Sequence, residues 1–185
     1  MRICIDAGHG GKDPGAVGPS GLKEAPTVLD ICKRLVSILT GMGLTTRQTR
    51  PIEEFVELGE RYQIANSWDA DYFVSIHCNS NGPSAEGIET LYTTTSGRDL
   101  AVPIQSALIA ATDDRDRGLK ERDNLAVLNG TNMPAVLVEV GFISHPETES
   151  KLKTSDYKQL LADAIARGLA EFLDIPAIYK PPPPS

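Results

Sequence analysis

Residues 3–11 read ICIDAGHGG. The apolar run Ile3, Cys4, Ile5 has the length of a buried strand, and the acid Asp6 and a turn of small residues close it. A strand that ends on glycines so early predicts a sheet with helices on its faces, whose functional groups gather beyond the strands' carboxyl ends. The chain has three histidines in 185 residues. One of them, His9, stands on this hinge.

Outward from this stretch, strand-like and amphipathic helical runs alternate, the pattern of an α/β sheet flanked by helices. After the strand at 3–6, residues 25–42 carry Val28, Leu29, Ile31, Leu35, Val36, Ile38 and Leu39 near helical spacing. Gly41 and Gly43 stop that helix, and Pro26 is tolerated in its first turn. Strands are predicted at 44–47, 72–76, 87–92, 125–128 and 135–140, and helices at 56–68, 99–112 and 157–173. The 135–140 strand is nearly all apolar and so predicted to be central. No internal repeat is present.

The composition is that of one domain with one core: 185 residues, 41% of them hydrophobic. No stretch reaches the roughly 18 uninterrupted apolar residues of a membrane span, so no membrane insertion is expected. The formal charge of −7 and the pI near 5.0 argue against nucleic acid as the main partner. Cys4, Cys32 and Cys78 are an odd number without regular spacing, and reduced, packed thiols are expected. Nothing at the beginning has a basic run followed by an apolar one, so no secretory leader is expected there. Residues 1–175 read as that domain. The run of prolines at 181–184 reads as an extended linker over 176–185, with a further domain expected beyond it.

Three segments place acid-base or metal-competent side chains at strand ends: Asp6 to Gly11, Ser75 to Asn79, and Val138 to Gly141. Glu24, at the start of the first long helix, joins them. Each has a plain alternative. His9 could cap a turn, Glu24 could answer a helix dipole, and His77 could be a satisfied core histidine. Glu139 is the sharpest signal, because an unpaired acid in an apolar central strand is costly. Two imidazoles and a carboxylate suit catalytic zinc with one position left for water, and Glu139 would move the proton. His145 reads as part of a loop before a helix capped by Ser144 and stays outside the site.

The segments IDAGHGGKDPGAVG, GLKE, TRQTRPIEEFVELGERYQIAN, ADYFVSIHCNSN, GIETLYT and DRGLKERDNLAVLNGTNMPAVLVEVGFISHPETE occur in that order. Together they resemble the zinc-dependent N-acetylmuramoyl-L-alanine amidases of the Amidase_3 type. The resemblance implies a mixed, twisted sheet of about six strands with helices on both faces. It implies one zinc ion (Zn2+) held by His9, Glu24 and His77, with Glu139 catalytic, and hydrolysis of the amide between the lactyl group of N-acetylmuramic acid and L-alanine in peptidoglycan.

In that frame Gly8, Gly10 and Gly11 would supply positive φ for a sharp turn around a metal ligand and leave space for a bulky polymer. Asn79, Arg117 and Lys120 are candidate substrate contacts, and Asp6 would orient His9 or His77 from behind. The chain departs from the family in Ala25-Pro26-Thr27 after Glu24, which shifts the expected helix start slightly, and in Cys78 after the second histidine. No long helix that would block the site is expected between Tyr92 and Arg117. The alternatives are a zinc peptidase acting on stem peptides and a non-catalytic wall-binding module. The expected setting is the bacterial wall, reached as a phage endolysin or as the excised, monomeric catalytic domain of a secreted autolysin.

Overall fold

The computed structural model describes residues 1–177. The linker assigned to 176–185 lies outside the described residues from 178 onward. Six strands form one sheet: β1 (Arg2–Ala7), β2 (Thr45–Gln48), β3 (Tyr72–Asn79), β4 (Ile88–Tyr92), β5 (Asp116–Glu121) and β6 (Ala135–Phe142). Their order is β2-β1-β3-β6-β4-β5. Neighbours are parallel except β4 and β6, which pair antiparallel, so β4 and β5 run against the rest. The near-continuous apolar reading of β6 has its cause in this order, because β6 lies inside the sheet between β3 and β4 and every residue of it except Glu139 is buried.

The helices are α1 (Glu24–Gly41), α2 (Leu58–Ser67), α3 (Thr95–Ala111), α4 (Ala126–Asn129), α5 (Pro146–Lys153) and α6 (Ser155–Phe172). Strand alternation sorts the side chains onto two faces. Ile3, Ile5, Val74, Ile76, Val136 and Val138 enter a large core with α1, α3 and α6. Cys4, Phe73, Leu91 and Leu137 enter a smaller one with Ala65 of α2 and Val127 and Leu128 of α4. The second face is only partly covered by these two short helices. On it, Asp6, Ser75, His77, Glu139 and Glu89 continue the alternation, and the functional groups fall there.

Three elements differ from the sequence reading. The strand expected at 125–128 is the short helix α4, because a four-residue apolar run carries no period that separates helix from strand, and here it packs beneath α2. Its place in the sheet is taken by β5, whose sequence DRGLKE has no apolar alternation. β5 is an edge strand, and charges there discourage pairing with other chains. The third difference is the start of α5, the helix expected after His145, a polar one of eight residues. Its cap is the His145 side chain, which accepts from the Thr148 N–H at 3.4 Å, while Ser144 Oγ donates instead to the Gly82 carbonyl at 2.8 Å. The interval between Tyr92 and Arg117 holds only α3, which Thr94 caps through the Gly97 N–H at 3.0 Å.

α3 and α6 cross where Gly168 has no side chain. A Cβ there would stand 2.5 Å from Ile104 Cα and 2.7 Å from the Pro103 carbonyl oxygen. An ordinary helical Gly→Ala change stabilises by up to about 1 kcal/mol. Gly168→Ala should do the reverse, lowering the unfolding free energy in urea by about 1–3 kcal/mol as the helices are forced apart.

Candidate active site

His9 follows the end of β1, His77 lies near the end of β3, and Glu24 is the first residue of α1. One oxygen joins all three. Glu24 Oε1 lies 3.2 Å from His9 Nε2 and 3.0 Å from His77 Nδ1, and the Cys78 N–H donates to it at 2.9 Å. The other oxygen, Oε2, accepts from the Ala16 N–H at 2.9 Å. The imidazoles meet edge to face at 5.0 Å. One donor atom from each of the three residues lies within 4.8 Å of the others. Two imidazole nitrogens and a carboxylate oxygen at that spacing fit the donor set that would hold a single zinc ion.

The turn carrying His9 has the expected positive φ at Gly10 (123°) and Gly11 (58°), and differs from the sequence reading at two positions. His9 itself takes the left-handed conformation, with φ 60°, whereas Gly8 does not. Gly8 is needed for clearance, since a Cβ there would stand 2.2 Å from His77 Cε1. Two buried arginines hold the strained turn through its carbonyl groups. Arg50 donates to Ala7 O at 2.8 Å, Gly8 O at 2.7 Å and Ala25 O at 2.8 Å. Arg61 donates to Ala7 O at 2.6 Å and His9 O at 2.7 Å. Arg50 therefore ties the β1 turn to the start of α1, which stays at Glu24 despite Pro26.

Asp6 touches neither imidazole, contrary to its expected role. Its carboxylate is buried among Thr49 Oγ1 at 2.5 Å, Ser75 Oγ at 2.6 Å and Arg61 Nη1 at 3.0 Å, so it reaches His9 only through Arg61. The residue behind His9 is Asp13, whose Oδ2 lies 2.8 Å from His9 Nδ1. That bond keeps a proton on Nδ1 and turns Nε2 toward Glu24, the usual arrangement behind a metal-binding imidazole. A carboxylate four residues beyond a histidine on a glycine turn was the available signal. Arg50 and Arg61 gave none, since in sequence they read as solvated charges.

Glu139 stands directly beside His77 in the β3–β6 register. Its Oε2 is buried with no hydrogen-bond partner among the described residues. Burial, with the charges of Glu24 and Glu89 adding to it against His77, pushes its carboxyl up to about 7. Asn79 and Arg117 are brought together by a residue the sequence reading passed over, Glu89, which accepts from Asn79 Nδ2 at 3.0 Å and from Arg117 Nε at 2.7 Å. Its signal lay in Gly87-Ile88-Glu89-Thr90-Leu91, an acid in phase with an inward-facing leucine. Lys120 is on the same face but pairs with Leu91, one step further from Glu139 than Glu89 is. Beside the imidazoles opens a cavity of about 490 Å³ walled by Phe55, Val56, Leu58, Leu125 and Val127, with His77 and Leu137 also lining it.

The partly open α/β sheet and a three-donor centre beside an unpartnered carboxylate are the equipment of a hydrolase. Comparison with known proteins narrows this: the chain belongs to the N-acetylmuramoyl-L-alanine amidase family, which it matches over residues 3–171. It is 39% identical to the sporulation-specific N-acetylmuramoyl-L-alanine amidase of Bacillus subtilis, over 95% of this chain and 69% of that protein. It is 40% identical to the endolysin of Bacillus phage SPP1, over 94% of this chain and 66% of the endolysin. Among solved structures it is similar to the catalytic domain of CwlV, an amidase from Bacillus (Paenibacillus) polymyxa var. colistinus, with a TM-score of 0.91, 38% identity, and coverage of 95% and 99%. The amidase AmiC2 of Nostoc punctiforme gives 0.90 at 38% identity, covering 94% of this chain and 97% of that one.

The hydrogen bond to Glu24 raises the His9 imidazole to about 9 against the opposing effect of burial. For Glu24, burial opposes ionisation, but hydrogen bonds from His77 and His9 prevail and hold the carboxyl well below its usual range. At pH 7 the metal-free protein therefore carries a proton that a metal ion must displace from His9. Calorimetric zinc titration in buffers of differing ionisation enthalpy should show release of about one proton or more at pH 7. The release should fade as the pH passes about 9, the value to which His9 is raised.

Proposed function

We propose that this chain is a peptidoglycan amidase that hydrolyses the bond between the lactyl group of N-acetylmuramic acid and L-alanine of the stem peptide, using one zinc ion held by His9, Glu24 and His77. The observation that carries the reading is Glu139: a carboxylate oxygen buried without a partner, in register beside His77, at the edge of an open cleft. A bound zinc ion supplies a Lewis acid that polarises the scissile carbonyl and makes water reactive near neutral pH.

The protein's own groups do the rest. Glu24 brings one negative charge to the centre, which offsets part of a divalent cation's charge. Asp13 fixes the ring of His9, and the Arg50 and Arg61 contacts hold its backbone. Glu139 takes the proton of the attacking water at its free carboxylate oxygen and returns it to the leaving alanine nitrogen. Asn79 and Arg117 contact the substrate on the far side of Glu139, with Lys120 at the periphery. Every one of these residues comes from a single copy of the chain, so the reaction requires no second protomer. The place of action is the bacterial wall, as for the similar endolysin and sporulation amidase, and no helix among the described residues is long and apolar enough to cross a membrane.

Glu139→Ala should retain zinc at one ion per chain and lose about 10²–10⁴-fold in turnover on purified cell walls. His77→Ala should lose both metal and turnover. Turnover surviving in the first variant, or full zinc content in the second, would refute these roles. Mass spectrometry of the digest identifies the bond. A free lactyl carboxyl with a new alanine amine marks the amidase, and new ends within the stem would mark a peptidase instead.

A further inference from the structure

The row of polar side chains that begins at the three-donor centre does not stop at Glu139. Glu139 pairs with His77 on one side and with Glu89 on the other, and Glu89 receives Arg117 Nε at 2.7 Å. The row thus crosses four strands on one face, from β3 through β6 and β4 to β5. Two irregularities in the sheet fall on it. Between the pairs Ile88–Asp116 and Thr90–Leu119, β5 places both Arg117 and Gly118 opposite the single residue Glu89. Gly118, with φ 71°, takes the left-handed conformation such a bulge favours, and the bulge re-aims Arg117. At the ends of β3 and β6 a second shift sets Phe142 opposite Asn79.

These shifts give Arg117 a fixed seat. Its guanidinium carbon stands 4.7 Å over the Phe142 ring. Its Nε is held by a Glu89 side chain only 8% exposed, whose other oxygen is occupied by Asn79 at 3.0 Å. Arg117 itself is 30% exposed, and its Nη1 and Nη2 have no acceptor among the described residues. An arginine whose only task was to neutralise Glu89 would engage the carboxylate through two parallel bonds. This one offers a single edge to Glu89 and keeps the opposite fork. A guanidinium already stacked and anchored loses little freedom when that fork takes a second carboxylate.

We propose that Arg117, seated by Glu89, Asn79 and Phe142, is a carboxylate subsite that reads the peptide part of the substrate and sets its direction through the cleft. The inference rests on the amidase reading. The stem peptide runs from Glu139 toward the β4–β5 edge, where the cationic fork waits. The glycan runs the other way, into the cavity between Phe55 and Leu125, whose walls are largely apolar. The carboxylate nearest the scissile amide on the peptide side is the α-carboxylate of the second stem residue, which can be free or amidated. Arg117 therefore favours stems that keep it free, while Glu89 is a positioning residue acting through Arg117.

The test uses soluble, uncross-linked peptidoglycan strands of the two kinds, free and amidated at that carboxylate, with release of alanine amino termini as the readout. The wild-type chain should favour the free form by ~10-fold in kcat/KM, carried by KM. Arg117→Gln should bring the ratio near one, Arg117→Lys should keep part of it, and Glu89→Gln should lower it through a looser Arg117. A ratio unchanged in Arg117→Gln, or no preference in the wild type, would overturn the subsite while leaving the amidase reading in place. Absence of new alanine termini from both substrates would instead remove the amidase reading, and the subsite with it.

Discussion

A single oxygen atom, Glu24 Oε1, is what the site is built around. It sits on a side chain 2% exposed and faces two imidazole nitrogens and a backbone N–H within 3.2 Å. A buried carboxylate without such partners would carry a penalty of several kcal/mol. With them it stays ionised and holds both rings at metal-binding separation. The partners in turn constrain the chain. Cys78 must present its N–H at the end of β3, and His9 must adopt a left-handed backbone that only a well-supported turn tolerates. The buried arginines supply that support, and Asp6 provides one of them with a counter-charge.

The sheet makes this compatible with stability by giving its two faces different work. One face is sealed by α1, α3 and α6 and contains the larger apolar core. The other is covered by α2 and α4 over part of its length only. There the same alternation that buries Phe73 and Leu137 brings His77 and Glu139 out beyond the helices. Function thus costs the fold one end of one face, and the polar groups there compensate one another: Glu24 by the imidazoles, Asp6 by Arg61, Glu89 by Arg117. Glu139 is the exception. Its oxygen, without a partner among the described residues, is a local destabilisation that the proposed role of proton carrier would require.

Much of this was legible in the residues. β3 and β6 are legible because they are buried along nearly their whole length and α1 and α6 because one face of each is buried, and Glu139 stood out because an acid interrupts an apolar strand. What was not legible had a common cause. Arg50, Arg61 and Glu89 act through partners distant in sequence or through backbone carbonyls, and a charged residue bonded to a carbonyl looks in sequence like one facing water. The edge strand β5 failed for a related reason, since its composition answers to exposure and to the bulge at Gly118 rather than to a core. The exchange of 125–128 from strand to helix shows the limit of a four-residue apolar run, whose placement is decided by what packs above it.

The central claim, that one metal ion is bound by two imidazoles and one carboxylate, is tested most directly by X-ray absorption at the zinc edge of the loaded protein. Ligation by His9, Glu24 and His77 gives a nitrogen and oxygen shell at about 2.0–2.1 Å with the outer scattering of two imidazole rings. Sulfur scattering near about 2.3 Å would place Cys78 or another thiol on the metal. That result, or a shell with no imidazole signature, would contradict the account.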